Sequence, residues 1–279
     1  MRQCSLCDNM DEIKQSDIIP TFVQRWLKET SSTGRFRDVI TPNIPKQKIQ
    51  TAPLLCNTCE QKFSKYEKYF SEKFFKPYLE SYNPRFEYTN QLKKFIISLA
   101  WRTIAIRKDD LSSILPNHYT AIHEAFHHWK DILISNKLDN KYEHHMLFLR
   151  LLQYKPHQRK ECEGINWYFL RSVDNTIAQS QNKLYTFTLF PGFAFISAIK
   201  PKFFIHSKNT KIYAEGKIDM RKQIFDKFLF DFFKSRMRPM REAMASLSGK
   251  QWVKIEEYYS KNLKSYGFAI FLADQQMHK

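Results

Sequence analysis

A chain of 279 residues with 43% hydrophobic and 15% aromatic content has ample apolar material for one or two folded domains, which excludes an intrinsically disordered protein. Its 45 lysines and arginines against 28 aspartates and glutamates leave a net charge of +17, a surplus that concentrates polyanions at the surface and makes their binding salt-sensitive. Five cysteines are too few and too odd a number for a disulfide scaffold, and no apolar run reaches the roughly 18 residues that would suggest a membrane span.

The first element is Cys4-x2-Cys7. With Cys56-x2-Cys59 it supplies four thiolates in two pairs, enough to close a tetrahedral shell around Zn²⁺. A closed shell leaves no open coordination position, so such an ion is structural and not catalytic. The 48 residues between the pairs are more than the commonest zinc-ribbon spacings have. No apolar h-region follows Met1, so no secretory signal is expected and the chain reads as cytoplasmic. Cys162 has no nearby partner and no signature of a nucleophile.

A helix is predicted to start at Ser16-Asp17, with Pro20 in its first turn and Ile19, Phe22, Val23, Trp26 and Leu27 at helical spacing. It stops in Thr30-Ser31-Ser32-Thr33-Gly34, and residues 35–53, with three prolines, read as a loop carrying at most short strands. A second helix follows Cys59, its apolar face marked by Phe63, Tyr66, Phe70 and Phe74. Residues 1–85 thus form a zinc-organised module. Residues 1–60 alone bury little core, and metal binding supplies folding free energy on the order of 10 kcal/mol.

Residues 86–279 form the second part. Leu92, Phe95, Ile96, Leu99 and Ile104 mark one helix, Ile122, Phe126, Trp129 and Leu133 another, and Met146, Leu149 and Leu152 a third. Then the period becomes two: residues 184–190 and 193–199 flank Pro191-Gly192, a pair suited to a type II turn. With Thr210–Ile218 as a third strand they form a small antiparallel sheet, closed by helices at about 220–236 and 250–264.

Three strings, Cys4-Ser5-Leu6-Cys7, Ser16-Asp17-Ile18-Ile19-Pro20 and Leu54-Leu55-Cys56-Asn57-Thr58-Cys59-Glu60, resemble the treble-clef core of the HNH, or ββα-metal, endonucleases in their four-cysteine form. The resemblance covers roughly residues 1–75. A looser one, in Arg25–Ser31 and Ser98–Arg102, extends to HNH-like bacterial proteins with a large C-terminal extension. It implies a nuclease site beside the zinc, in which a divalent ion, Mg²⁺ or Mn²⁺, holds the scissile phosphate and a His removes a proton from water. Carried over, Ser16 takes the acidic ligand position, Asp17 the general-base position and Glu60 the ligand position after the last cysteine. Asp17 departs from the pattern, because a carboxylate of ordinary pKa near 3.9 is a weak base for water at neutral pH. Three readings stay open: Asp17 and Glu60 bind a catalytic ion, or the module is catalytically silent and binds nucleic acid or a protein partner, or Asp17 caps a helix and Glu60 merely complements a helix dipole. The resemblance also implies a bacterial or mobile-element protein, with phage defence as one role.

Two further patterns compete. His123-Glu124-Ala125-Phe126-His127 matches the H-E-x-x-H of zinc proteases, with Glu143, His144 or His145 as possible third ligands, although Ile122, Phe126 and Trp129 also form an ordinary amphipathic stripe. Residues 171–279 carry 19 basic and 9 acidic side chains. Within them Arg236, Arg238, Arg241, Lys250 and Lys254 suit phosphate contact with Trp252 available for stacking. Arg35, Arg37, Lys46 and Lys48 flank the knuckle and suit steering of a backbone. Their alternative is a solvated basic surface. No glycine-rich phosphate loop and no G-x-S-x-G elbow occurs, which disfavours a nucleotide-driven motor and a serine hydrolase. The expectation is an α+β protein: an N-terminal zinc treble clef, a helical middle, and a small antiparallel sheet with closing helices, interacting with nucleic acid.

Overall fold

A computed structural model describes residues 1–31, 34–81, 83–152, 159–180, 182–201, 207–225 and 227–261. Short strands β1 (Arg2–Gln3) and β2 (Met10–Asp11) pair antiparallel around the first cysteine pair. Next, β3 (Ile13–Asp17) pairs antiparallel with β4 (Thr51–Cys56), and α1 (Thr21–Glu29) lies in the connection between them. The second cysteine pair stands where β4 passes into α2 (Asn57–Phe70). Knuckle, hairpin and helix in this order make a treble clef, with an insert of α1 and a long loop between its two hairpin strands.

Helix α1 begins later than its sequence suggests. Ser16 and Asp17 end β3, and Pro20 stands at the N-cap of α1, where its missing N–H costs nothing. This removes the reading of Asp17 as the helix cap. Helix α2 runs through a π-helical turn at Ser71–Phe75 into α3 (Lys76–Ser81), and Pro77 lies just after that irregular turn.

After β5 (Arg85–Tyr88) come α4 (Asn90–Ala105), the short α5 (Leu111–Ile114) and α6 (Tyr119–Ser135). Leu92, Phe95, Ile96, Leu99 and Ile104 on α4 and Ile122, Phe126, Trp129 and Leu133 on α6 are all buried, as their spacing predicts. The expected third helix is instead strand β6 (His144–Phe148). Met146-Leu147-Phe148 is a short apolar run whose every member is buried, and such a run has no period to separate strand from helix.

Helices α7 (Arg159–Cys162) and α8 (Ile165–Arg171) lead to β7 (Asp174–Ser180), β8 (Lys183–Phe190) and β9 (Phe193–Lys200), which with β6 form an antiparallel sheet in the order β6-β9-β8-β7. Gly192, at φ 79°, takes the left-handed position of the β8–β9 turn. The expected strand at Thr210–Ile218 divides in two. Thr210 and Ile212 bond to β6 backbone, covering that edge, while β10 (Gly216–Asp219) pairs with β5. The break falls before Gly216, where a Cβ would stand 2.9 Å from the Tyr88 hydroxyl. Helices α9 (Lys227–Ala245) and α10 (Gly249–Lys261) close the described chain; of the expected last helix, residues 262–264 lie outside the described residues.

Both faces of the sheet are covered. Alternation along β9 sends Phe193, Phe195 and Ile199 into a core shared with α2, α4 and α6, and Ala194, Ile196 and Ala198 into a second core shared with α8 and α9. The first core continues without a break from Leu55 and Phe63 of the treble clef to Phe195, with Phe70 and Phe95 stacked at 4.4 Å between ring centroids. The treble clef is therefore docked on the sheet by aromatic packing. No helix among the described residues is long and apolar enough to cross a membrane.

Candidate metal centre and cationic cleft

The β1–β2 knuckle and the start of α2 bring the sulfurs of Cys4, Cys7, Cys56 and Cys59 within 4.8 Å of one another. Cys7 Sγ and Cys56 Sγ are 3.8 Å apart. A tetrahedral ion with sulfur ligands at about 2.3 Å spaces them by about 3.8 Å, so the edge already has the length of a filled shell. The Cys56 backbone N–H donates to Cys4 Sγ at 3.3 Å, a bond suited to a thiolate. Burial raises the Cys4 thiol, but N–H groups of Cys7, Cys56 and Leu6 outweigh it and bring Cys4 below its ordinary value. Burial, with the sulfurs of Cys56 and Cys7, pushes Cys59 far up. Four thiolates crowded in this way are mutually repulsive without a cation at their centre, and a divalent ion relieves all of them at once. The four cysteines are positioned to bind a metal, and among the described residues no other group of three or more His, Cys, Asp or Glu is gathered so closely.

Beside this centre the hairpin and α2 gather the carboxylates that the sequence singles out. Glu60, in the first turn of α2, accepts a hydrogen bond from the buried Ser16 hydroxyl of β3. Asp17 accepts from Thr21 Oγ1 at 2.7 Å, and its backbone carbonyl accepts from Arg102 Nη1 at 2.8 Å. Arg102, buried in α4, also pairs with Glu67 at 2.8 Å and lies over the Phe63 ring. Burial raises the Glu67 carboxyl, Arg102 pulls it back only in part, and Glu60 and Asp17 add to the rise. Three acids and one buried cation thus share a neighbourhood.

Sequence reasoning passed over Glu67 and the role of Arg102. The available signals were the seven-residue step from Glu60 to Glu67, two turns along one helix face, and an arginine standing inside the apolar run of α4.

The basic residues sort into two groups. Arg35, Arg37, Lys46 and Lys48, on the insert between α1 and β4, line one cleft of about 790 Å³ together with Arg236 of α9 and Arg171 of α8. Among the described residues of its lining, six cations face two carboxylates, Asp38 and Asp174. Four of the six are engaged: Lys46 with Asp38, Arg236 doubly with Asp174, Arg171 with Thr30, and Arg37 with the Pro42 carbonyl and Gln251. Arg35 and Lys48 are exposed and bond to no described residue. The second group does not line the cleft. Arg238 is exposed and faces Glu242 at 3.8 Å, Arg241 pairs with Glu163 at 3.0 Å, and Lys250 and Lys254 stand exposed on α10.

On α6, His123 and His127 are exposed with their Nε2 atoms 3.1 Å apart. No third ligand joins them among the described residues. Glu143, His144 and His145 are committed elsewhere, to Lys211, Ser197 and Thr210.

Comparison with known proteins gave no matching family model, no matching curated protein and no matching solved structure.

Proposed function

We propose that this protein binds nucleic acid through the cationic cleft, and that a structural zinc ion at Cys4, Cys7, Cys56 and Cys59 holds the hairpin whose insert forms one wall of it. Four soft sulfur donors at tetrahedral spacing suit zinc, and a shell with no open position suits a structural ion. The observation that carries the nucleic-acid reading is the convergence of Arg35, Arg37, Lys46 and Lys48 with Arg236, some 190 residues later in the chain, around one cleft where cations outnumber carboxylates threefold.

A second reading, favoured by the joint influence of Asp17 and Glu60 on Glu67, is a divergent phosphodiesterase of the HNH type. Mg²⁺ needs only one or two carboxylates beside water and phosphate oxygens, so Asp17 and Glu60 would suffice to hold it. Against cleavage stand the absent histidine and the engagement of both carboxylates by the hydroxyls of Ser16 and Thr21.

Purified protein incubated with labelled DNA and RNA at low salt is expected to bind, with about one zinc per chain, and to bind less well when Arg35 and Lys48 become glutamates. Failure to bind would overturn the proposal. Plasmid and RNA incubated with Mg²⁺, Mn²⁺ or chelator decide the second reading: cleavage lost in Asp17→Ala and Glu60→Ala would support it, and intact substrates would end it.

A further inference from the structure

We infer that the cleft takes an unstacked nucleotide unit, its base enclosed against Trp252 and its phosphate held at the mouth by Arg35 and Lys48. This deepens the nucleic-acid reading and rests on it. The chemistry is shared by two sources, a nucleotide within a single strand and a free nucleotide.

Three observations lead there. The first is size: about 790 Å³ lies in the range of sites that enclose small ligands, and a duplex is too wide to enter a space that unstacked nucleotides fill. The second is the character of the walls. Phe36, Trp167 and Trp252 line the cleft with aliphatic side chains such as Ile49, Met240 and Ile255. A surface meant only for a phosphate backbone needs no such interior, whereas a base has an aromatic face that stacks on one.

The third is the division of labour among the cations. Arg37, Lys46, Arg171 and Arg236 are spent on protein partners, while Arg35 and Lys48 bond to no described residue and are exposed at the cleft. Two uncommitted cations beside an aromatic pocket match the two parts of a nucleotide.

The cleft is also built in advance. Arg37 Nη2 donates to Gln251 Oε1 of α10 at 2.5 Å, Asn43 Nδ2 donates to the Ser246 carbonyl at 3.0 Å, and the Ser248 N–H donates to Asn43 Oδ1 at 2.9 Å. These bonds tie the insert to the α9–α10 corner, so a ligand need not order the walls itself. One end of the cleft reaches the treble clef, because Gln50 lines it and accepts at its carbonyl from the N–H of Ile18, the neighbour of Asp17.

The test uses the full, metal-loaded chain and three probes: a labelled single-stranded 12-mer, the same sequence as a blunt duplex, and a nucleoside monophosphate as competitor. The single strand is expected to bind more tightly than the duplex. Trp252→Ala should weaken it roughly 5- to 150-fold, the range expected for loss of one stacked base, and Trp252→Phe, which keeps a ring and guards against misfolding, should restore most of the loss. Displacement of the strand by millimolar monophosphate would assign the cleft to free nucleotides as well, and strand binding indifferent to it would assign the cleft to strands alone.

Duplex preference, or single-strand binding unchanged in both Trp252 variants, would overturn the inference. If binding then still falls in Arg35→Ala and Lys48→Ala, the nucleic-acid reading survives without it. If neither strand nor duplex binds the wild type at low salt, the failure lies in that reading itself.

Discussion

At the scale of single residues, the four cysteines and the Arg102–Glu67 pair carry the largest consequences. A structural zinc site contributes about 10–16 kcal/mol, comparable with or greater than the entire stability of a typical domain at about 5–15 kcal/mol. Cys59→Ser, or chelation of the wild type, is therefore expected to release the metal and unfold the treble clef, read as loss of zinc by elemental analysis with a lower melting temperature. Persistence of zinc in that variant would refute the four-sulfur shell. Arg102→Met leaves the mostly buried Glu67 without its cation and should cost about 3–5 kcal/mol at neutral pH in denaturant unfolding. Burial holds the Glu67 proton more tightly in the folded than in the unfolded chain, so its ionisation subtracts stability as pH rises above the ordinary value of 4.5. Loss of Arg102 raises it further, so the deficit of Arg102→Met should shrink toward pH 4.5; a deficit independent of pH would contradict the pairing. The cysteine pairs were legible because metal ligation has a local spacing. The Arg102 contact was not, because it joins α4 to α2 and β3, which only packing brings together.

Among the elements, the helices with a broad apolar stripe and the β8–β9 hairpin were legible from period alone, since Pro191-Gly192 names its own turn. Gly192→Ala tests that turn: a Cβ there would meet Tyr78 Cε1 at 2.8 Å in a backbone conformation unfavourable to alanine, and a loss of about 1–3 kcal/mol is expected by denaturant melting. Strands β6 and β7 were not legible. Strand β6 is buried along its whole length, so its histidines and apolar residues show no alternation, and β7 is polar because it lies at the sheet edge. His144 on β6 offers a pH test of its burial. Burial, with Lys93 and His145 as lesser causes, holds its imidazole well below 6.5, so the unfolded chain takes up a proton that the folded chain refuses. Stability should fall as pH drops through 6.5, and His144→Gln should flatten that slope in urea titrations at pH 7.5 and 5.5.

For the whole molecule, the sequence shows an excess of positive charge and its tilt toward the C-terminal part, but charge counts do not say which residues meet. The fold joins the insert of the treble clef to α9 and α10 around one cleft, and leaves Arg238, Lys250 and Lys254 outside its lining. The insert of the treble clef and the C-terminal helices thus form two walls of one cleft, and on the proposed reading the metal is scaffolding for a binding surface. The salt dependence of binding tests this most directly. Affinity for a labelled single-stranded oligonucleotide would be measured from low to moderate salt for the wild type and for the double variant Arg35→Ala/Lys48→Ala. The wild type is predicted to bind with a steep negative slope of log affinity against log salt, and removal of two phosphate contacts should make that slope shallower by about 1.4. No binding, or identical slopes for the two proteins, would contradict the assignment of the cleft.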